Sequence, residues 1–173
     1  MVTWTPAHGD PDPDPERNVA TWNAMLGGLV RLGRVDDAQR LFDEMPERNV
    51  VSYTTMVDGL ARRGEVERAR EVFDSMPDRN LVSWAAMISG CVENGMFVEA
   101  RELFEAMPEK NVVACTAMIT GHCKQGDVDS ARRLFDGIRA KDVISWNAMI
   151  AGMSYIVNHL SHGFILARCS SWR

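Results

Sequence analysis

Five short polar side chains, Asn18, Asn49, Asn80, Asn111 and Asp142, stand 31 residues apart in a chain of 173. A carboxamide both donates and accepts hydrogen bonds and a carboxylate only accepts them, so such a ladder suits helix capping or hydrogen-bonded recognition. Residues suited to bond making are not similarly arranged. Cys91, Cys115, Cys123 and Cys169 fit neither a disulfide framework nor a CxxC metal pair. His122 beside Cys123 is the nearest approach to a ligand cluster, but adjacent helical side chains point to different faces. The cysteines therefore read as buried or half-buried free thiols. No glycine-rich phosphate loop and no nucleophile–base pair is evident. No catalytic site, metal or cofactor is expected.

The ladder belongs to a larger repetition. In register the chain reads VATWNAMLGGLVRLGRVDDAQRLFDEMPERN, VVSYTTMVDGLARRGEVERAREVFDSMPDRN, LVSWAAMISGCVENGMFVEARELFEAMPEKN and VVACTAMITGHCKQGDVDSARRLFDGIRAKD, then VISWNAMIAG before the pattern stops. A period in this range signals a solenoid. Each unit divides at Gly33, Gly64, Gly95 or Gly126 into two amphipathic segments of roughly 12 residues. In the second unit Tyr53, Met56, Val57 and Leu60 share one face, with Ser52 placed as N-cap and Gly64 as a left-handed C-cap after Arg62 and Arg63. Val66, Ala69, Val72, Phe73 and Met76 form the apolar face of the following segment, and Pro77 stops it, as Pro46 and Pro108 do in their units.

The alanines Ala38, Ala69, Ala100 and Ala131 are expected where the two helices of a unit approach closely. Gly28, Gly59, Gly90, Gly121 and Gly152 fall inside the first helix, where each costs up to about 1 kcal/mol against alanine, so they imply tight packing on a neighbour. Met25, Met56, Met87, Met118 and Met149, with Trp22, Tyr53, Trp84 and Trp146, read as core between units. The fold class is thus all-α: a right-handed solenoid of four complete helix–turn–helix hairpins (19–49, 50–80, 81–111, 112–142) and a partial fifth (143–152). Residues 1–18, with Asp-Pro-Asp-Pro-Asp-Pro, read as an acidic disordered arm, and 153–173 as a divergent tail.

The repeat resembles the pentatricopeptide family: 50–60 (VVSYTTMVDGL), 64–74 (GEVERAREVFD) and 76–80 (MPDRN) match it throughout, and the match runs from 19 to about 152. The 31-residue period resembles the short repeat variant of plant organellar members, here in uninterrupted tandem. Tetratricopeptide repeats, the rival, have a period of 34 and a W-x2-L-G-x2-Y pattern absent here. The resemblance implies single-stranded RNA binding at one base per repeat, with the N-terminus toward the 5′ end.

The base-selecting pairs carried over are Asn23 with Asn49, Thr54 with Asn80, Ala85 with Asn111, and Thr116 with Asp142; Asn147 opens a fifth without a partner. They imply 5′-C-A-N-G-pyrimidine, with weak or no selection at the third base because Ala85 has no hydrogen-bonding group. Ala20, Val51, Val82, Val113 and Ile144 match the aliphatic wedges that sandwich bases. Arg31, Arg62 and Lys124 match phosphate-proximal cations, while the third repeat has Glu93 there. Each column has a plain structural counterpart, since Asn and Thr are ordinary residues at helix starts.

The net charge of −5 has the wrong sign for simple nucleic-acid attraction. The acidity is expected in the N-terminal arm and on the outer second helices, at Asp36, Asp37, Glu65, Glu67, Glu99 and Glu102. The zinc deaminase signature H-x-E followed by P-C-x-x-C, carried by some relatives, is absent, so any editing or processing enzyme would act in trans. The relatives imply a mitochondrial location, with the chloroplast second, although the acidic N-terminus is the opposite of a transit peptide. No apolar run approaches the roughly 20 residues of a membrane span, so no membrane partner is expected. The tail after Gly152 reads as a truncation or as a helix from Met153 to Arg168 covering the fourth repeat. Two other readings stay open: a protein-interaction scaffold of tetratricopeptide type and a non-functional fragment.

Overall fold

A computed structural model describes residues 15–139 and 141–160, with side chains for 19–139 and 141–156. The described residues form helices α1 (Pro15–Arg31), α2 (Val35–Glu44), α3 (Val50–Arg62), α4 (Val66–Asp74), α5 (Leu81–Glu93), α6 (Phe97–Ala106), α7 (Val112–Lys124), α8 (Val128–Gly137) and α9 (Val143–Leu160). The odd-numbered helices stack on one another as one layer, each paired with the even-numbered helix that follows it. Consecutive hairpins thus build the expected all-α solenoid, and no described helix is long and apolar enough to cross a membrane.

The turn inside each hairpin is set by one glycine. Gly64 has φ +88°, a left-handed conformation that a Cβ would strain, and lets its own N–H reach Ala61 O and that of Glu65 reach Leu60 O. This pair of bonds is the Schellman closure, and it recurs at Gly33, Gly95 and Gly126. The starts of the inner helices differ from expectation. Asn49, not Ser52, is the N-cap of α3; its side chain accepts from the Val51 and Ser52 N–H groups. Ser52 is the reciprocating third residue, its hydroxyl accepting from Asn49 N–H at 3.2 Å. The cap shifts because the preceding Pro-x-Arg-Asn segment leaves Asn49 extended, at φ −116° and ψ 177°, which is the cap conformation.

Packing between hairpins follows the repeat. Met56, Met87, Met118 and Met149 are buried to 3% exposure or less, whereas Met25, with no described helix stacked before it, is 54% exposed. A Cβ placed on Gly59, Gly90, Gly121 or Gly152 would lie 2.5–2.9 Å from Val30, Ala61, Phe97 or Cys123 respectively, while Gly28 faces open space. Ala38, Ala69, Ala100 and Ala131 are fully buried. Tyr53, Trp84 and Trp146 each meet the phenylalanine of the preceding hairpin edge-on: Phe42 at 5.2 Å, Phe73 at 5.0 Å and Phe135 at 4.7 Å between centroids.

Both ends depart from the expected boundaries. α1 begins at Pro15, so 15–18 are helical rather than part of an irregular arm, and Asn18 falls inside a helix instead of capping one. Proline suits a first helical position because its φ is already helical and its missing N–H is not needed there. α9 runs on through Leu160. Val157 stands where the other hairpins have their left-handed glycine, so nothing in the sequence turns the chain at that point. This extension buries Ile156 and half-buries Met153 with Ile119 and Cys123 of α7, giving the fourth hairpin the expected cover. The remainder of the expected cap, 161–168, and Cys169 lie outside the described residues.

His122 and Cys123 both pack against neighbouring side chains. No group of three metal-ligating side chains occurs among the described residues. Burial pushes the Cys91 and Cys123 thiols up to about 11, which keeps them unreactive near neutrality. The His122 ring packs edge-on to Phe97 at 4.9 Å, and its Nδ1 sits 3.3 Å from Asp127 Oδ2 without hydrogen-bond geometry. Desolvation outweighs the pull of Asp127 and holds this imidazole below the usual histidine range. Its contribution is therefore intact above the unfolded value of about 6.5 and is lost as pH falls through the window beneath it. His122→Phe, which keeps the ring contact, is expected to flatten the loss of urea midpoint as pH falls below about 6.5. An unchanged pH slope in that variant would mean the ring is already solvated.

Candidate nucleic-acid interface

The second residue of each inner helix is aliphatic and faces solvent: Val51, Val82, Val113 and Ile144 are 54–63% exposed, and Ala20 is exposed in α1. Neither capping nor core packing requires that. Residues at i, i+3, i+7 and i+11 share a helix face, which aligns the stripes Ala20–Asn23–Gly27–Arg31, Val51–Thr54–Asp58–Arg62, Val82–Ala85–Ser89–Glu93 and Val113–Thr116–Thr120–Lys124. The aliphatic, fifth-residue and cation columns of the four full repeats therefore fall on one face of each inner helix, although Ala85 and Thr116 are buried there.

Among the described residues a direct hydrogen bond joins the members of the first polar pair, and each of the other pairs has its own geometry. In the first, Asn23 Nδ2 donates to Asn49 Oδ1 at 3.1 Å and Asn23 Oδ1 accepts from the Ser52 hydroxyl at 2.7 Å. Both ends of Asn23 are thus engaged, and the Nδ2 arm of Asn49 remains as a donor. In the second, Asn80 Oδ1 accepts from Val82 N–H at 3.1 Å and Ser83 N–H at 2.9 Å, leaving its Nδ2 arm as a donor. The Thr54 hydroxyl donates to Val50 O at 2.7 Å, so its oxygen presents lone pairs. In the third, Ala85 is only 4% exposed and Asn111 Nδ2 donates to Leu81 O at 3.0 Å.

In the fourth, Asp142 accepts from Ser145 N–H at 2.8 Å, and that bond holds its carboxyl below the usual carboxylate range, so it is an ionised acceptor. Thr116 is 7% exposed, with its hydroxyl turned to the Val112 and Val113 carbonyls at 2.9 and 2.8 Å. Asn147 is exposed on α9. All four of Asn49, Asn80, Asn111 and Asp142 cap a helix through a side-chain oxygen, and the Nδ2 arm of Asn111 is engaged as well.

The cations are less available than their spacing suggested. Arg31 and Lys124 are exposed, but Arg62 Nε lies 3.0 Å from Asp58 Oδ1 and 2.9 Å from Oδ2. Three of the six outer acids are paired: Arg63 bonds Asp36 and Glu65, each at 2.8 Å, Arg34 bonds Asp37 at 2.7 Å, and Arg68 also bonds Glu65.

Two sets of residues escaped the sequence reading. Arg48, Arg79, Lys110 and Lys141 sit over the rings of Phe42, Phe73, Phe104 and Phe135 and donate to the last carbonyls of the outer helices. Their own 31-residue spacing was the signal. Asp58 has no register mate of its kind, so periodicity could not reveal it.

Profiles of the PPR repeat family match residues 17–50, and those of the PPR repeat match 47–77, 82–112 and 113–143. The chain belongs to the pentatricopeptide repeat family. No curated protein matches it. Among solved structures it is similar to the pentatricopeptide repeat protein PPR10 from maize, at TM-score 0.65 and 16% identity over 92% of this chain and 25% of that one. It is also similar to PPR10 in complex with an 18-nt psaJ RNA element, at TM-score 0.69 and 21% identity, covering 86% of this chain and 24% of PPR10. The chain thus spans about a quarter of the length of that structural relative.

Proposed function

We propose that this array is a non-enzymatic module that binds single-stranded RNA, each repeat taking one base. The observation that carries the reading is the column of solvent-facing aliphatic residues beside oriented polar pairs. Apolar side chains held at that exposure favour flat apolar ligands, and bases stack while their edges hydrogen-bond. A PPR10 structure with bound RNA supports the same use of the fold.

Hydrogen-bond direction gives each repeat its preference. Adenine offers an acceptor at N1 and a donor at N6, complementary to Asn80 Nδ2 and Thr54 Oγ1. Guanine offers N–H donors at N1 and N2, which suit the Asp142 carboxylate. Cytosine offers acceptors at N3 and O2, which suit Asn49 Nδ2. The third repeat has a methyl and an engaged amide, so it is indifferent; Asn147 favours a pyrimidine. The target is 5′-C-A-N-G-pyrimidine. At about 1–3 kcal/mol of stacking per base and few free cations, net binding of about 5–8 kcal/mol corresponds to roughly micromolar affinity or weaker. An editing or processing enzyme acting in trans, in the mitochondrion before the chloroplast, is the setting in which such an address would be used.

Equilibrium binding of the chain to labelled 5′-CANGU RNA, beside a scrambled oligomer and single-stranded DNA, tests the proposal. Preference for the first is the expected result. Equal or undetectable binding to all three would overturn it in favour of the scaffold or fragment readings.

A further inference from the structure

Arg62 is the phosphate-proximal cation of the second repeat, yet both oxygens of Asp58, one turn earlier on the same stripe, lie within 3.0 Å of its Nε. Glu93, at the corresponding position of the third repeat, adds its charge from the neighbouring helix, and the two acids hold Arg62 more firmly protonated than usual. Its guanidinium is thus already neutralised where a phosphate would have to meet it. The equivalent of Asp58 is Gly27 in the first repeat, Ser89 in the third and Thr120 in the fourth, none of which carries charge.

We propose that Asp58 is a brake on RNA affinity: its carboxylate occupies Arg62 in competition with the phosphate backbone, so that the second repeat selects its base without gaining a phosphate contact. The inference rests on the RNA-binding reading and concerns its regulation by sequence. A guanidinium that is ion-paired before binding releases no condensed counterion from the RNA until the internal pair is broken. The second repeat then contributes hydrogen-bonded selection with little salt-dependent attraction. Selectivity is sharpened relative to affinity, because non-specific RNA gains equally little there.

The test is the salt dependence of binding to 5′-CANGU RNA by the wild type and by Asp58→Asn and Asp58→Ala. Asp58 is half-exposed, so both variants should stay folded, with the melting temperature lowered by no more than about 4 °C for the lost ion pair. Expected is an affinity gain of roughly two- to fivefold at low salt, the range of an exposed ion pair. The slope of log affinity against log salt should steepen by about 0.7, the increment for one added phosphate contact on a single strand. Adding Arg62→Gln to Asp58→Asn should abolish both changes, while Glu67→Gln, which removes an acid from the outer helix α4, should leave the slope alone. A wild type that binds selectively while Asp58→Asn shows an unaltered slope would overturn the inference and leave the RNA-binding reading standing. Absence of binding by every variant would instead defeat the underlying reading, and the brake with it.

Discussion

Asn80→Asp is expected to move the preferred second base from adenine to guanine. The substitution inverts the outward arm of the side chain from the Nδ2 donor to a carboxylate acceptor, while the inward oxygen still takes the Val82 and Ser83 N–H groups. Asp142 already does this in the fourth repeat, capping through Ser145 with an ionised carboxyl. Aspartate and asparagine are near-equal caps, so stability should not change. A correctly placed polar contact is worth about 1–3 kcal/mol between right and wrong bases, which is roughly 5- to 150-fold in relative affinity. Binding to oligomers differing only in A or G at the second position measures it. A folded variant with unaltered preference would reduce the whole ladder to helix caps.

Substituting alanine at two register-equivalent glycines should give opposite signs. Gly28→Ala places a methyl in open space on a helix and is expected to stabilise by about 0.5–1 kcal/mol. Gly90→Ala gains the same propensity but puts its Cβ 2.5 Å from that of Ala61, forcing α5 away from α3. Overpacking of this kind costs typically about 1–3 kcal/mol, so the net change should be a loss. In a solenoid that loss weakens the interface between the second and third hairpins, on which neighbouring repeats depend. For a chain of this size each kcal/mol moves the melting temperature by about 2–4 °C, so the two variants should separate clearly in thermal unfolding. Shifts of the same sign would show that the stack relaxes around the added methyl.

Recognition and architecture differ in how far they were legible. The period, the hairpin, the glycine C-caps, the core methionines and the close-approach glycines all followed from positions recurring in step, and the fold carries them in place except at Met25 and Gly28 of the first hairpin. The assignment of Ser52 as N-cap failed because the three-residue spacing of a capping box is symmetric: either partner satisfies the other, and only the extended backbone at Asn49 decides which one leads. The end of the repeat pattern at Gly152 did not by itself place the end of a helix. Loss of the repeat pattern marked an end, but a helix ends only where something turns the chain, and α9 meets no left-handed glycine before Leu160.

What the sequence determined by itself is whatever acts within a few residues and is repeated: helix periodicity, the turn glycines and the aliphatic second positions. These depend on local geometry, which is the same in every unit. What only the tertiary structure decided are the relations between units and between stripes. Asn23 became locked by Asn49 and Ser52, Asn111 by Leu81, and Met25 was left open while its four register mates were buried. Such outcomes depend on which side chain a neighbouring helix or turn brings within about 3 Å, a distance at which hydrogen bonds are made and which residue spacing alone does not fix.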